Sequence, residues 1–187
     1  MYITFHGAAR HVTGSKHLLQ LNNGTNILLD CGLFQGMGEH TGDMNEHFGF
    51  NPKKVDYLVL SHAHIDHCGL IPRLVAEGFK GPIYCTPPTM DLARILLLDS
   101  AKIQEQDTAY TNKHRAKKNL PPLENLYTEE DVMTALGQFK MVDYHEEFNI
   151  TPGVKLYFTD AGHGVGSAVM HLSIRGGGKE IHITFSG

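Results

Sequence analysis

An α/β fold, in which sheets carry helices on their outer side, is what the sequence predicts. Three observations predict it. Short apolar runs bounded by glycine, asparagine and aspartate open the chain. Two helical patterns, at 89–118 and 128–139, occupy its middle. Short β-prone runs then return before the end. The chain has 187 residues, 41% of them hydrophobic, which is the length of one domain or part of one and enough apolar matter for a core.

The elements follow in order. YITF (2–5) and KHLLQL (16–21) are β-prone runs, the second followed by NNGTN (22–26), whose Asn-Gly step marks a hairpin turn. ILLDCG (27–32) is an apolar run that turns polar at Asp30, as a buried strand entering a loop does. Residues 34–51 are rich in glycine and show little periodicity, so they are expected to be a loop. VDYLVLS (55–61) is a buried strand. GLIPRLVAEGF (69–79) is a short helix with Pro72 in its first turn, where a missing N–H does least harm. GPIYCT (81–86) is a strand stopped by Pro87 and Pro88. Over 89–118 the pairs Leu92/Leu96, Ala93/Leu97 and Leu97/Ala101 share a face at spacing i, i+4, with Thr89 as the expected cap. Residues 128–139 open with Thr128 and the acidic trio Glu129, Glu130 and Asp131, a helix start. VKLYFTD (154–160), AVMHLSI (168–174) and EIHITF (180–185) are strands, the last two joined through Gly176–Gly178.

Composition excludes several classes. No run approaches the ~18 apolar residues of a membrane span, and MYITFHGAAR lacks the basic-then-apolar order of a secretory signal. The net charge of −4 confines any polyanion site to a local patch. Cys31, Cys68 and Cys85 form no CxxC pair, which fits reduced thiols and a cytoplasmic location better than a disulfide scaffold.

The chain holds 13 histidines, and one cluster stands apart: SHAHIDHCG (61–69). In an extended segment His62 and His64 project to the same side, so two imidazoles can share one ion. Asp66 and His67 lie at the turn into a helix and aim from another backbone direction, so a second ion nearby can use them. Imidazole and carboxylate donors suit zinc, manganese or iron(II), with zinc the default. A further ligand is suggested by TDAGHGVGSA, where His163 follows a strand among glycines. Asp30, Ser61 and Asp160 all lie where apolar runs turn polar. If those strands share a direction, their ends line one rim, where loop-borne sites collect. His6, His11, His17, His40, His47, His114, His145, His171 and His182 lack such context and read as surface or satisfied core residues.

These motifs resemble a known family. HAHIDH is similar to the HxHxDH signature of the metallo-β-lactamase fold, LLDCGLFQG to its preceding aspartate motif, AGHGVGSA to its third motif and TFSG to the approach to its fourth. FHGAARHVTGSKHLL and GHGVGSA more narrowly resemble the β-CASP branch of RNA-processing nucleases, which includes ribonuclease J and the cleavage-and-polyadenylation endonuclease. The resemblance implies part of an αββα sandwich of mixed sheets with outer helices over 1–187, without the β-CASP insert and the C-terminal completing strands. It implies one zinc at His62, His64 and His163, a second at Asp66 and His67, and Asp30 as a support that does not touch metal. A bridging aspartate expected after the FSG motif and a further histidine are not in the sequence, so the chain is expected to be the N-terminal part of a longer protein.

The implied activity is zinc-dependent hydrolysis of RNA, with Asp66 orienting the attacking water and available as general base. Lys113, Arg115, Lys117 and Lys118 are a candidate phosphate contact, set against the plainer reading of a helix end whose charge complements the dipole. With five ligand side chains present, the chain by itself is expected to hold one weakly bound zinc or none and to be inactive. RNA is the expected partner, without a membrane, and a free sheet edge could support a homo-oligomer. The alternatives are a small-molecule hydrolase of the same fold acting on thioesters or lactams, a non-catalytic RNA-binding scaffold, and a redox di-iron protein, against which His64 argues.

Overall fold

The computed structural model describes residues 1–36 and 38–187. Two sheets face each other. The first runs β1 (Tyr2–Phe5), β2 (His17–Gln20), β3 (Asn26–Leu29), β4 (Tyr57–Val59), β5 (Ile83–Cys85) and β6 (Phe139–Met141), with neighbours in that order. The second comprises β7 (Phe148–Thr151), β8 (Val154–Asp160), β9 (Ala168–Gly176) and β10 (Lys179–Phe185), paired antiparallel in the order β10-β9-β8-β7. In the first sheet β1, β2 and β3 are antiparallel, the β2–β3 turn being closed by Leu21 N–H to Thr25 O at 2.8 Å. From β3 to β6 every pairing is parallel.

Parallel strands need crossovers, and the helices supply them. The β3–β4 connection holds α1 (Thr41–Glu46). α2 (Ile65–Cys68) and α3 (Ile71–Ala76) join β4 to β5, and α4 (Pro87–Lys117) and α5 (Glu129–Leu136) join β5 to β6. The helices cover one face of the first sheet and the second sheet covers the other, which explains the continuous apolar runs of β3, β4 and β5. Leu28, Leu58, Leu60, Ile83 and Cys85 pack toward Leu74, Ala93, Leu97 and Val132 on the helical side. Ile27, Leu29, Val59 and Tyr84 pack toward Leu156, Phe158, Met170 and Leu172 of the second sheet. In β8 and β9 buried and half-buried residues alternate, and among the described residues the core between the sheets contains none from a helix. The layers are therefore helix, sheet, sheet: three of the four in an αββα sandwich. Among the described residues no helix is long and apolar enough to cross a membrane.

Several expectations are corrected. The stretch 34–51 is not all loop: a 3-10 turn (Gly38–His40) and α1 form within it, while Met37 lies outside the described residues. The helix expected over 69–79 is shortened to α3, with Pro72 in its first turn, and a separate short helix that was not expected, α2, precedes it and carries Asp66 and His67. α4 starts at Pro87, capped by Thr86 rather than Thr89, with both prolines in the first turn, where their fixed φ suits a helix. Of the apolar pairs on α4, Ala93, Leu97 and Ala101 are buried as expected, whereas Leu92 is 36% exposed. β6 and β7 are short strands that periodicity does not reveal. α5 opens with Thr128 as read, and a capping box closes it, Thr128 Oγ1 accepting from Asp131 N–H and Asp131 Oδ2 from Thr128 N–H.

Candidate metal centre

Parallel pairing puts the C-terminal ends of β3, β4 and β5 on one rim, the position where open α/β sheets present their sites. Asp30 follows β3, the segment Ser61–His67 follows β4 and Thr86 follows β5. The second sheet brings the loop after β8 to the same rim. Ala168 N–H donates to Ser61 O at 2.9 Å and stitches the start of β9 to the segment carrying the histidines.

Across that stitch three imidazoles meet. His64 Nδ1 lies 3.1 Å from His62 Nε2 and 3.1 Å from His163 Nε2. One ring nitrogen from each of the three falls within 4.8 Å of the others, and the ring centroids are 4.7 to 4.9 Å apart. Nitrogens on a tetrahedral ion with bonds of about 2.0–2.1 Å stand roughly 3.3 Å apart, so the arrangement fits one cation with an open position. Without a shared proton or ion, converging lone pairs at this distance repel each other. His67 Nε2 lies 3.7 Å from Asp66 Oδ2, a second donor pair beside the first, and the His62 and His67 rings are 4.1 Å apart.

Asp30 organises both groups. It is fully buried, and its Oδ1 accepts from Ser61 N–H at 2.8 Å. Its Oδ2 accepts from the hydroxyls of Ser61 (3.0 Å) and Ser15 (3.1 Å) and from Nδ1 of His67 (2.7 Å). The His67 proton therefore sits on Nδ1, and the Nε2 lone pair faces Asp66. Ser61 spends its single proton on Asp30, so His62 Nδ1, 3.0 Å from Ser61 Oγ, is the donor there and Nε2 is left free. One carboxylate thus selects the ligand tautomer of two imidazoles.

The electrostatics favour the neutral ring at His62 and the charged ring at His67. Burial, with His67 adding to it, pushes His62 down to about 4, so it is neutral at physiological pH. At His67 burial also lowers the pKa, but the hydrogen bond and charge of Asp30, together with Asp66, outweigh it and the net shift is upward.

Asp30 has φ 57, a left-handed conformation that costs a non-glycine residue energy and needs support. The backbone supplies it: Asp30 N–H bonds Val59 O, Cys31 N–H bonds His67 O, Gly32 N–H bonds Ser15 O and Leu33 N–H bonds Ile65 O, all between 2.8 and 3.0 Å. A Cβ on Gly32 would fall 1.6 Å from Asp66 O, so only glycine permits this approach. Lys16, fully buried, donates from Nζ to Gly32 O at 2.8 Å and lies 4.0 Å above the Phe34 ring.

A cavity of about 630 Å³ opens over these residues, lined also by His11, Val12, His17 and Phe185. His17 and Ser15 are site neighbours that the sequence did not flag. His17 is buried, with Nε2 3.4 Å from Ser15 Oγ. The β1–β2 register places it, and no local pattern announces that. Asp160 serves its own turn, its Oδ1 accepting from Gly162 N–H. Cys68, beside the cluster, is a small fully buried residue whose thiol is pushed up by burial.

The basic group is not brought to the centre. α4 begins beside the His163 loop, and at about 1.5 Å per residue Lys113 lies roughly 36 Å further along the axis than Thr89. Arg115 Nε donates to Pro121 O at 2.7 Å and closes the helix end, while Lys113, Lys117 and Lys118 are exposed. Their charges stand in and around the last turn of α4, far from the three imidazoles.

Comparison with known proteins gives a consistent result. A metallo-beta-lactamase superfamily domain model matches residues 18–181. Ribonuclease TTHA0252 of Thermus thermophilus is 41% identical over 168 residues, covering 90% of this chain and 34% of that protein. Transcription termination factor FttA of Methanocaldococcus jannaschii is 34% identical, covering 92% of this chain and 25% of that protein. An RNase J-like protein of the same organism is 34% identical, covering 93% and 34%. The chain thus spans about a third or less of the length of these relatives. Among solved structures, Rm3 metallo-beta-lactamase superposes with a TM-score of 0.54 at 19% identity, covering 97% of this chain and 57% of that one. BJP-1, a subclass B3 metallo-beta-lactamase of Bradyrhizobium japonicum, gives 0.54 at 15%, covering 98% and 58%. At these identities the two structures speak for the fold alone. The chain belongs to the metallo-beta-lactamase superfamily.

Proposed function

We propose that this chain carries the metal centre of a zinc-dependent ribonuclease. The observation that carries the reading is the convergence of His62, His64 and His163 on one point, with Asp66 and His67 alongside. The names of the relatives, two ribonuclease-type and one a termination factor, favour RNA over a small molecule as the substrate. A divalent ion bound there would acidify a water and offset the charge that grows on a phosphate during attack. The chain's own residues do the rest. His62, His64 and His163 hold one ion, and Asp66 and His67 contribute to a second. Asp66, half-buried at the cavity floor, orients a water and accepts its proton. Asp30 holds the rings of His62 and His67 in place.

Three imidazoles outnumber the two donors of the second position, so the first ion is the better held. On this reading the 187 residues alone retain one weakly bound zinc at most and do not cleave RNA. Three buried free thiols support a reducing, cytoplasmic location. The free edges of β1 and β10 support self-association of the isolated chain.

The test is RNA cleavage by the longer gene product, with His64→Ala as control and generic thioester and lactam substrates run in parallel. Metal-dependent RNA cleavage lost in the variant is expected. Turnover of the thioester or lactam without RNA cleavage would select the small-molecule reading, and RNA binding without any cleavage would select the scaffold.

A further inference from the structure

The loop that carries His163 has little rigidity of its own. Gly162, Gly164 and Gly166 alternate through it, a Cβ at either of the first two would touch nothing, and Val165 is 74% exposed. Ser167 closes the loop on itself, its Oγ accepting from Gly164 N–H (2.9 Å) and His163 N–H (3.3 Å). Those bonds are internal and do not fix the loop to the body. Three contacts do: Ala168 N–H to Ser61 O, Tyr144 OH to Ser167 O (2.9 Å), and a pair of threonine hydroxyls on Gly166.

The threonine pair is the tightest of the three. Thr86 Oγ1 donates to Gly166 O at 2.6 Å and Thr89 Oγ1 donates to the same oxygen at 2.8 Å. Each hydroxyl has one proton and the carbonyl has two lone pairs, so both bonds form at once. Both threonines are fully buried. Gly166 has φ +84, and a Cβ there would fall 2.5 Å from Thr89 N, so the loop lies directly on the first turn of α4.

We propose that Thr86 and Thr89 are positioning residues for His163, holding Gly166 O so that the imidazole meets His62 and His64. Capping a helix needs only the Thr86 hydroxyl, whose Oγ1 accepts from Thr89 N–H; the hydroxyl of Thr89 lies 3.0 Å from that oxygen and sends its own proton across 77 residues to the loop. The inference rests on the metal-centre reading above.

The decisive variant is Thr89→Val, which keeps the shape, the cap and one of the two bonds. Cobalt(II) alone is titrated into the 187-residue chain and followed by its visible absorption. The dissociation constant is expected to rise about three- to tenfold, the worth of one hydrogen bond, and to return with Thr89→Ser. In metal-free protein, imidazole NMR is expected to show the His163 ring altered while His62 is unchanged. An unchanged cobalt constant, whatever happens to the melting temperature, overturns the proposal, as does an unfolded Thr89→Val, which would assign the hydroxyl to the fold. Should the unaltered chain bind no cobalt, as a single weak site allows, the His163 ring signal in metal-free protein decides alone: a ring altered by Thr89→Val supports the proposal and an unaltered one overturns it.

Discussion

Nδ1 of His67 donates to Oδ2 of Asp30 at 2.7 Å, and the acceptor is a fully buried carboxylate that no part of the cavity reaches. Residues 37 apart in sequence are joined by the shortest of the four hydrogen bonds that the Asp30 carboxylate accepts. It sets which nitrogen of His67 is free, and through Ser61 it does the same for His62.

Asp30→Asn tests this arrangement. An amide presents donors where only donors now point, so either Ser61 N–H or His67 Nδ1–H loses its acceptor. Zinc affinity is expected to fall about 10- to 100-fold, the usual cost of losing such an outer partner. A competition titration with a chromophoric chelator measures it. Affinity equal to that of the unaltered chain would mean that Asp30 serves only the fold.

Gly32→Ala probes the backbone meeting that supports Asp30. The added methyl would lie 1.6 Å from Asp66 O, with Asp66 C at 2.1 Å. Neither atom belongs to a flexible side chain, so relief requires the two loops to part. A loss of about 3 kcal/mol or more is expected, read as a lowered denaturation midpoint or as insoluble protein. A variant as stable as the parent would show that the loops are looser than their hydrogen bonds imply.

Lys16 gives a pH signature. Burial lowers its pKa from 10.5 to about 8. Below pH 8 both folded and unfolded chains carry the proton. Between about 8 and 10.5 the unfolded chain keeps a proton that the folded chain has shed, so this residue makes stability rise with pH. Buried Cys31, with its thiol pushed up to about 12, pulls the other way, but it does so equally in a Lys16→Met variant. The stability of the parent relative to Lys16→Met is therefore expected to be flat between about pH 7 and 8, above the range where His6 and His17 titrate, and to rise by ~1.4 kcal/mol per unit from there up to about 10.5. Urea unfolding of both proteins across this range measures the difference, and parallel curves would contradict the buried ammonium.

The sequence showed the parts of this molecule whose physics is local. Runs such as YLVL are apolar throughout because β4 is covered on both faces, and HAHIDH groups its donors within six residues. The end of α4 could be read as a dipole-complementing cluster because Lys113, Lys117 and Lys118 need no partner to be understood. What stayed hidden depends on chain segments far apart. Thr89 looks like a cap next to two prolines, yet Thr86 takes that role because proline tolerates the first helical turn and the chain enters helix earlier. α1 formed in a glycine-rich stretch where no periodicity marked it. His17 reaches the site through strand register and Ser15 through backbone bonds to Asp66 and Gly32, while Gly32 owes its necessity to a backbone 34 residues away.

The central claim is that His62, His64 and His163 hold one ion together. X-ray absorption at the zinc edge, on the chain loaded with one equivalent or less, tests it most directly. Three imidazole nitrogens at about 2.0–2.1 Å, one of them lost in His163→Ala, is the predicted result. A shell containing sulfur, or one that His163→Ala leaves unchanged, would contradict it.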